Sequence, residues 1–88
     1  MQLLLPSDFN DHGWEIKAKG YFVADVVTDD GIRVSVSFYD PVRLAQDIEA
    51  DMAELGMAVV TNLVVVEAVT PQQMLRAIAR LRPGQILD

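Results

Sequence analysis

Hydrophobic and polar residues alternate along two stretches of the chain. In residues 14–28, Trp14, Ile16, Ala18, Phe22, Ala24 and Val26 fall on one side, and Glu15, Lys17, Lys19 and Asp25 fall on the other. A period of two predicts one long strand. Gly20 within it predicts a bulge, a sharp bend or the close approach of another backbone. In residues 32–39, Ile32, Val34, Val36 and Phe38 alternate with Arg33, Ser35, Ser37 and Tyr39, which predicts a second strand. Asp29-Asp30-Gly31 joins the two. A two-residue turn would set Ala24 opposite Ser37. A three-residue loop sets Val26 opposite Val34, Ala24 opposite Val36 and Phe22 opposite Phe38, so that both apolar faces coincide. The longer loop needs a left-handed residue at its end, and Gly31 stands there. Ahead of the hairpin, Pro6 to Gly13 is a cluster of turn formers, and Leu3–Leu5 reads as a short edge strand or a docked arm.

The spacing then changes to that of helices. Asp40-Pro41 is a helix start, and Leu44, Ala45, Ile48, Met52 and Leu55 recur at helical intervals up to Gly56, a C-terminal stop. These five residues predict a buried stripe. Residues 57–69 are rich in valine, and Leu63–Ala68 predicts a strand apolar on both faces. Thr70-Pro71-Gln72-Gln73 has the form of a capping box. It opens a helix whose buried face is Met74, Leu75, Ile78, Ala79 and Leu81, ended by Pro83-Gly84. The whole predicts a single α+β domain over residues 1–88. Its mixed sheet has three strands, or four if Leu3–Leu5 pairs, with two helices on one face, in the order (β)ββαβα. Tyr21, Val23, Val27 and Tyr39 then occupy a sheet face that two helices on the far side leave uncovered.

Composition sharpens this picture. Of 88 residues, 51% are hydrophobic and 23% charged, more apolar than a small sheet roofed by two helices can hide. Small domains gain stability when a second subunit enlarges the core. The chain has no cysteine. Disulfides, thiolate metal sites and a cysteine nucleophile are excluded, and a reducing, cytoplasmic setting is expected. The net charge of −6 argues against nucleic acid and anionic membranes as partners. The N-terminal Met1-Gln2-Leu3-Leu4-Leu5-Pro6 lacks the basic region, apolar core length and cleavage site of a signal peptide.

Candidate chemistry is sparse. His12 is the single histidine, lying among Ser7, Asp8 and Asp11, where a polar turn accounts for the composition. A calcium loop beginning at Asp8 fails at its twelfth position, Lys19. No phosphate loop, nucleophile elbow or metalloprotease motif occurs. Glu67 interrupts an apolar strand and is expected to pair with Arg33 or with an arginine of the last helix. No cofactor and no catalytic residue is assigned.

The expected role is therefore a small non-enzymatic interaction module, acting as a homodimer or on another protein through an exposed sheet face or edge. Its candidate interface residues are Trp14, Tyr21, Val23 and Tyr39, the acidic stripe Asp47, Asp51 and Glu54, and the basic pair Arg76 and Arg80. Two alternatives follow from the same residues. One is an acidic inhibitor or immunity-type protein that neutralises a basic toxin or nuclease through the acidic stripe. The other is a small-molecule binder or enzyme whose site, built from His12, Glu67 or Arg33, forms at a dimer interface.

Overall fold

The hairpin sets the frame. In the computed structural model, which describes residues 1–82 and 84–86, strand β2 (Tyr21–Val27) pairs antiparallel with β3 (Arg33–Tyr39). Phe22 stands opposite Phe38, Ala24 opposite Val36 and Val26 opposite Val34, the register that superposes both apolar faces. The loop is the three-residue one. The Thr28 N–H donates to the Ile32 carbonyl at 2.8 Å, the Gly31 N–H donates to the Thr28 carbonyl at 2.9 Å, and Gly31 takes φ 82°.

Strand β1 (Gln2–Leu4) adds antiparallel to β2, and β4 (Leu63–Val65) adds parallel to β3. The result is a mixed four-stranded sheet in the order β1-β2-β3-β4. The segment expected at Leu3–Leu5 is thus an edge strand, shifted by one residue to Gln2–Leu4. The last strand is shorter than the expected 63–68. It holds a hydrogen bond beyond Val65, from the Val66 N–H to the Tyr39 carbonyl at 2.8 Å, and then turns so that Val66 and Val69 enter the core.

Three helices are present, not two. The expected long strand over 14–28 is helix α1 (Phe9–Lys19) followed by β2. Of the turn expected over residues 6–13, Ser7 and Asp8 form a turn while residues 9–13 start that helix. Residues 14–18 alternate, but Phe9, Gly13 and Ile16 also share one side of a helix. The tertiary fold chooses the helix because Phe9 buries its ring against Phe22, edge to face with centroids 5.1 Å apart. Gly20 is the left-handed stop of α1, at φ 72°, rather than a kink within a strand. The element order is therefore βαββαβα. The α+β class and the mixed sheet stand; the (β)ββαβα order, with two helices on one face, does not.

The helices divide between the two faces. Phe9 of α1, with Met74 and Ile78 of α3 (Pro71–Arg80), joins Ala24, Val26, Val36 and Phe38 in one core. Helix α2 (Pro41–Leu55) instead meets Tyr21 and Tyr39, whose side chains alternate with the core set and so lie on the opposite face. Both later helices begin as expected. The Asp40 carboxylate accepts from the Arg43 N–H at 2.7 Å, and the Thr70 hydroxyl accepts from the Gln73 N–H at 3.2 Å. The Thr70 N–H goes to the Ala68 carbonyl, so Gln73 does not return the bond of a capping box. Leu75 and Ala79 face outward rather than into the core. Helix α3 ends at Arg80, and Pro83, its expected stop, lies outside the described residues.

Gly20 and Gly56 provide a controlled comparison. Both take left-handed φ, 72° and 71°. A Cβ on Gly20 would collide with the Asp40 carboxylate, whereas a Cβ on Gly56 would meet nothing within 4 Å. In chemical denaturation, Gly56→Ala is expected to cost about 1 kcal/mol, and Gly20→Ala clearly more, because the cap of α2 must also move. Equal costs would show that the approach of Asp40 to Gly20 does not matter.

Candidate interaction surface

Helix α2 is attached to the sheet by polar contacts. The Tyr39 hydroxyl donates to Asp47 Oδ2 at 2.9 Å, and Arg43 Nε donates to Asp47 Oδ1 at 2.8 Å. Arg43 Nη1 donates to the Lys19 carbonyl at 3.1 Å, and the guanidinium lies 5.4 Å from the centre of the Tyr21 ring. Tyr21 and Tyr39 pack against each other at 4.7 Å. These bonds tie the helix to the end of the hairpin, where the Asp40 N–H also donates to the Gly20 carbonyl at 2.9 Å.

The apolar stripe of α2 does not take part. Leu44, Ile48 and Leu55 lie about a quarter to a third of a turn around the helix from the Arg43–Asp47 side, and Met52 nearly half a turn. No residue of α2 is buried. Met52 is 51% exposed and Leu55 is 67% exposed. The expected burial of Leu44, Ala45, Ile48, Met52 and Leu55 is therefore not met within the single chain. The reason is geometric. Two helices already fill the face where the core forms, so the crossover helix stands on the other face and touches it with its Arg43–Asp47 side. On that face Val23, Leu63 and Val65 are also exposed. Val59, in the segment linking α2 to β4, is 71% exposed.

The candidate residues separate into three places. Tyr21, Val23, Tyr39, Asp47, Asp51 and Glu54 belong to the side of the sheet occupied by α2. Tyr39 is only 7% exposed, covered by Tyr21 and α2. Asp47 is neutralised by Arg43, so the acidic stripe is effectively Asp51 and Glu54. Trp14, 72% exposed on α1, faces away from this surface. Arg76 and Arg80 line a cleft of about 450 Å³ between β4 and α3, together with Val65, Val66, Glu67, Gln73 and Ala77.

Of the possible reactive residues, Arg33 pairs with Asp25 at 2.8 Å rather than with Glu67, and His12 lies 3.8 Å from Asp8 on α1. Among the described residues, Arg33 and Glu67 line different clefts, and His12 lines neither of them. Among the described residues no group of three or more His, Asp or Glu is placed to hold a metal ion, and no helix is long and apolar enough to cross a membrane. The exposed stripe of α2 was the feature that sequence reasoning misplaced. Its signal was present in the excess of apolar residues.

Compared with known proteins, the chain matches no family, no curated protein and no solved structure at a significant level.

The contact between Tyr39 and Asp47 has a pH signature. Burial first, then the hydrogen bond to Asp47, pushes the Tyr39 phenol up from 10.0 to about 12. A folded value above the unfolded one means that its contribution is intact below pH 10 and is lost as pH rises towards about 12. Arg43, through its hydrogen bond, holds the Asp47 carboxyl below its usual value. That contribution is present above about pH 4 and fades as pH falls below it. In a Tyr21→Phe background, which leaves Tyr39 as the one titrating phenol, Asp47→Ala is expected to lower the tyrosinate absorbance midpoint. It should also cost about 1 kcal/mol of stability, since the groups are partly solvated. An unmoved midpoint would show that the two groups do not interact in solution.

Proposed function

We propose that this protein is a non-enzymatic interaction module that self-associates through the side of the sheet on which α2 stands. One observation carries the reading. The chain exposes 5964 Å², whereas a compact monomer of 9.7 kDa is expected to expose about 5,100 Å². The excess, roughly 860 Å², is close to the roughly 800 Å² that each partner contributes to a standard protein interface. The radius of gyration agrees: 13.3 Å, against about 12 Å for a compact chain of this length.

The surplus is apolar where an interface would need it. Ile48, Met52 and Leu55 of α2 and Val23, Leu63 and Val65 of the sheet all lie on one side of the sheet. A second copy supplies the same side chains to meet them, as a two-fold contact requires. Burying them would complete the core that α2 lacks within one chain. The acidic-inhibitor reading draws less support, since Asp47 is already engaged by Arg43 and Tyr39.

Sedimentation equilibrium on the full chain is expected to give a mass about twice 9.7 kDa at micromolar concentration. Met52→Lys with Leu55→Glu should shift the protein to monomer, weakening association by at least a hundredfold while the far-ultraviolet circular dichroism is retained. A wild-type chain that remains monomeric at several hundred micromolar would overturn the proposal.

A further inference from the structure

A second surface adjoins the first at Leu63 and Val65 and runs along the open edge of β4. Among the described residues, β4 has β3 on one side and no strand on the other. The Ser37 N–H donates to the Asn62 carbonyl and the Val66 N–H donates to the Tyr39 carbonyl. In a parallel pair, alternate residues bond to the same neighbour. The backbone groups of Leu63 and Val65 therefore point out of the sheet. An unpaired edge of this kind is a template for an added strand.

At the C-terminal end of this edge opens a cleft between Val65–Glu67 and α3, whose volume of about 450 Å³ lies within the roughly 300–1,000 Å³ of ligand clefts. Gln73, Arg76, Ala77 and Arg80 of α3 form one wall. Neither arginine has an ion-pair or hydrogen-bond partner among the described residues, and Glu67, in the same cleft, lies beyond ion-pair reach of both. In a chain of net charge −6, two free guanidinium groups facing one groove are a local exception. Screening over roughly 8 Å at physiological salt lets that local charge prevail over the distant acids.

We propose that this groove takes an extended peptide segment in which apolar and acidic residues alternate, added antiparallel to β4 as a fifth strand. The pattern follows from the alternation of strand side chains. Peptide residues opposite Leu63 and Val65 place their side chains beside those exposed apolar groups. Their neighbours, opposite Val64 and Val66, turn to the other face and enter the groove next to α3. Arg76 and Arg80 are four residues apart, about 6 Å along the helix. Alternate strand residues are about 6.6 Å apart, a spacing close to that of the two arginines, so carboxylates at positions i and i+2 are the pattern matched to them. Arginine suits this role because its fork holds a carboxylate through two bonds.

The probe is a fluorescein-labelled octapeptide of alternating valine and glutamate, titrated into the full chain and followed by anisotropy. Saturable binding is expected. It should weaken at least tenfold when lysine replaces glutamate, when Arg76→Glu and Arg80→Glu are combined, or when the peptide amides facing β4 are N-methylated. Circular dichroism checks that the double variant is folded. The Met52→Lys, Leu55→Glu variant, in which Leu63 and Val65 are not covered by a second copy, should bind the peptide at least as tightly as the wild type does, so the failure of self-association and the failure of this proposal are distinguishable. Three results would overturn it: no saturable binding; equal binding of the N-methylated peptide, which would mean charge attraction without strand addition; or loss of self-association in the arginine double variant, which would put a second copy in the groove.

Discussion

A sheet has two faces, and the helices of this chain close only one of them. That constraint governs the rest of the structure. Phe38, Val26 and Val36 lie fully buried beneath Met74, with Val69 beside them. Each such side chain contributes roughly 1.5–3 kcal/mol by leaving water. This layer is complete once α1 and α3 are in place. The connection from β3 to β4 must then pass over the other face, and it carries α2 there. The helix brings a full apolar stripe to a surface with little of its own to pack against it.

What holds α2 in position is an electrostatic attachment at one end. Arg43 joins three parts of the chain: Asp47 in its own helix, the Lys19 carbonyl at the end of α1 and the Tyr21 ring. Tyr39 adds its hydroxyl to the same carboxylate. Such bonds are directional, so they orient the helix. They remove little apolar surface, however, and the stripe of Ile48, Met52 and Leu55 stays in water. Orientation without burial is the arrangement that the proposed self-association would explain. Asp47 is paired with Arg43 at the attached end of α2, whereas Arg76 and Arg80, near the end of β4, have no ion-pair partner among the described residues.

Much of this architecture was legible in the chain. The hairpin register followed from requiring Phe22, Ala24 and Val26 to face Phe38, Val36 and Val34, because a slip of one residue exposes the entire set. The caps at Asp40 and Thr70 were legible because a short polar side chain before proline has few other uses. Helix α1 was not legible from periodicity, since its five-residue alternation fits a strand equally well. The better signals were Asp8 before the first turn, the lysines of the last turn and Gly20 just beyond them. The stripe of α2 was read correctly as apolar and helical. Its burial was misread, because spacing records which side of a helix is greasy but not whether the rest of the chain covers it. The pairing of Tyr21 with Tyr39 was legible from the register, while the bond to Asp47 depends on which face the crossover takes.

The central claim is that the uncovered side of the sheet is closed by a second copy. Amide hydrogen exchange measured over a range of protein concentrations tests this residue by residue. If a second copy covers that side, protection of the α2 amides from Ile48 to Leu55 rises as the protein is concentrated, while that of Met74 and Ile78 in the closed core stays constant. Protection of α2 that does not change with concentration would contradict it.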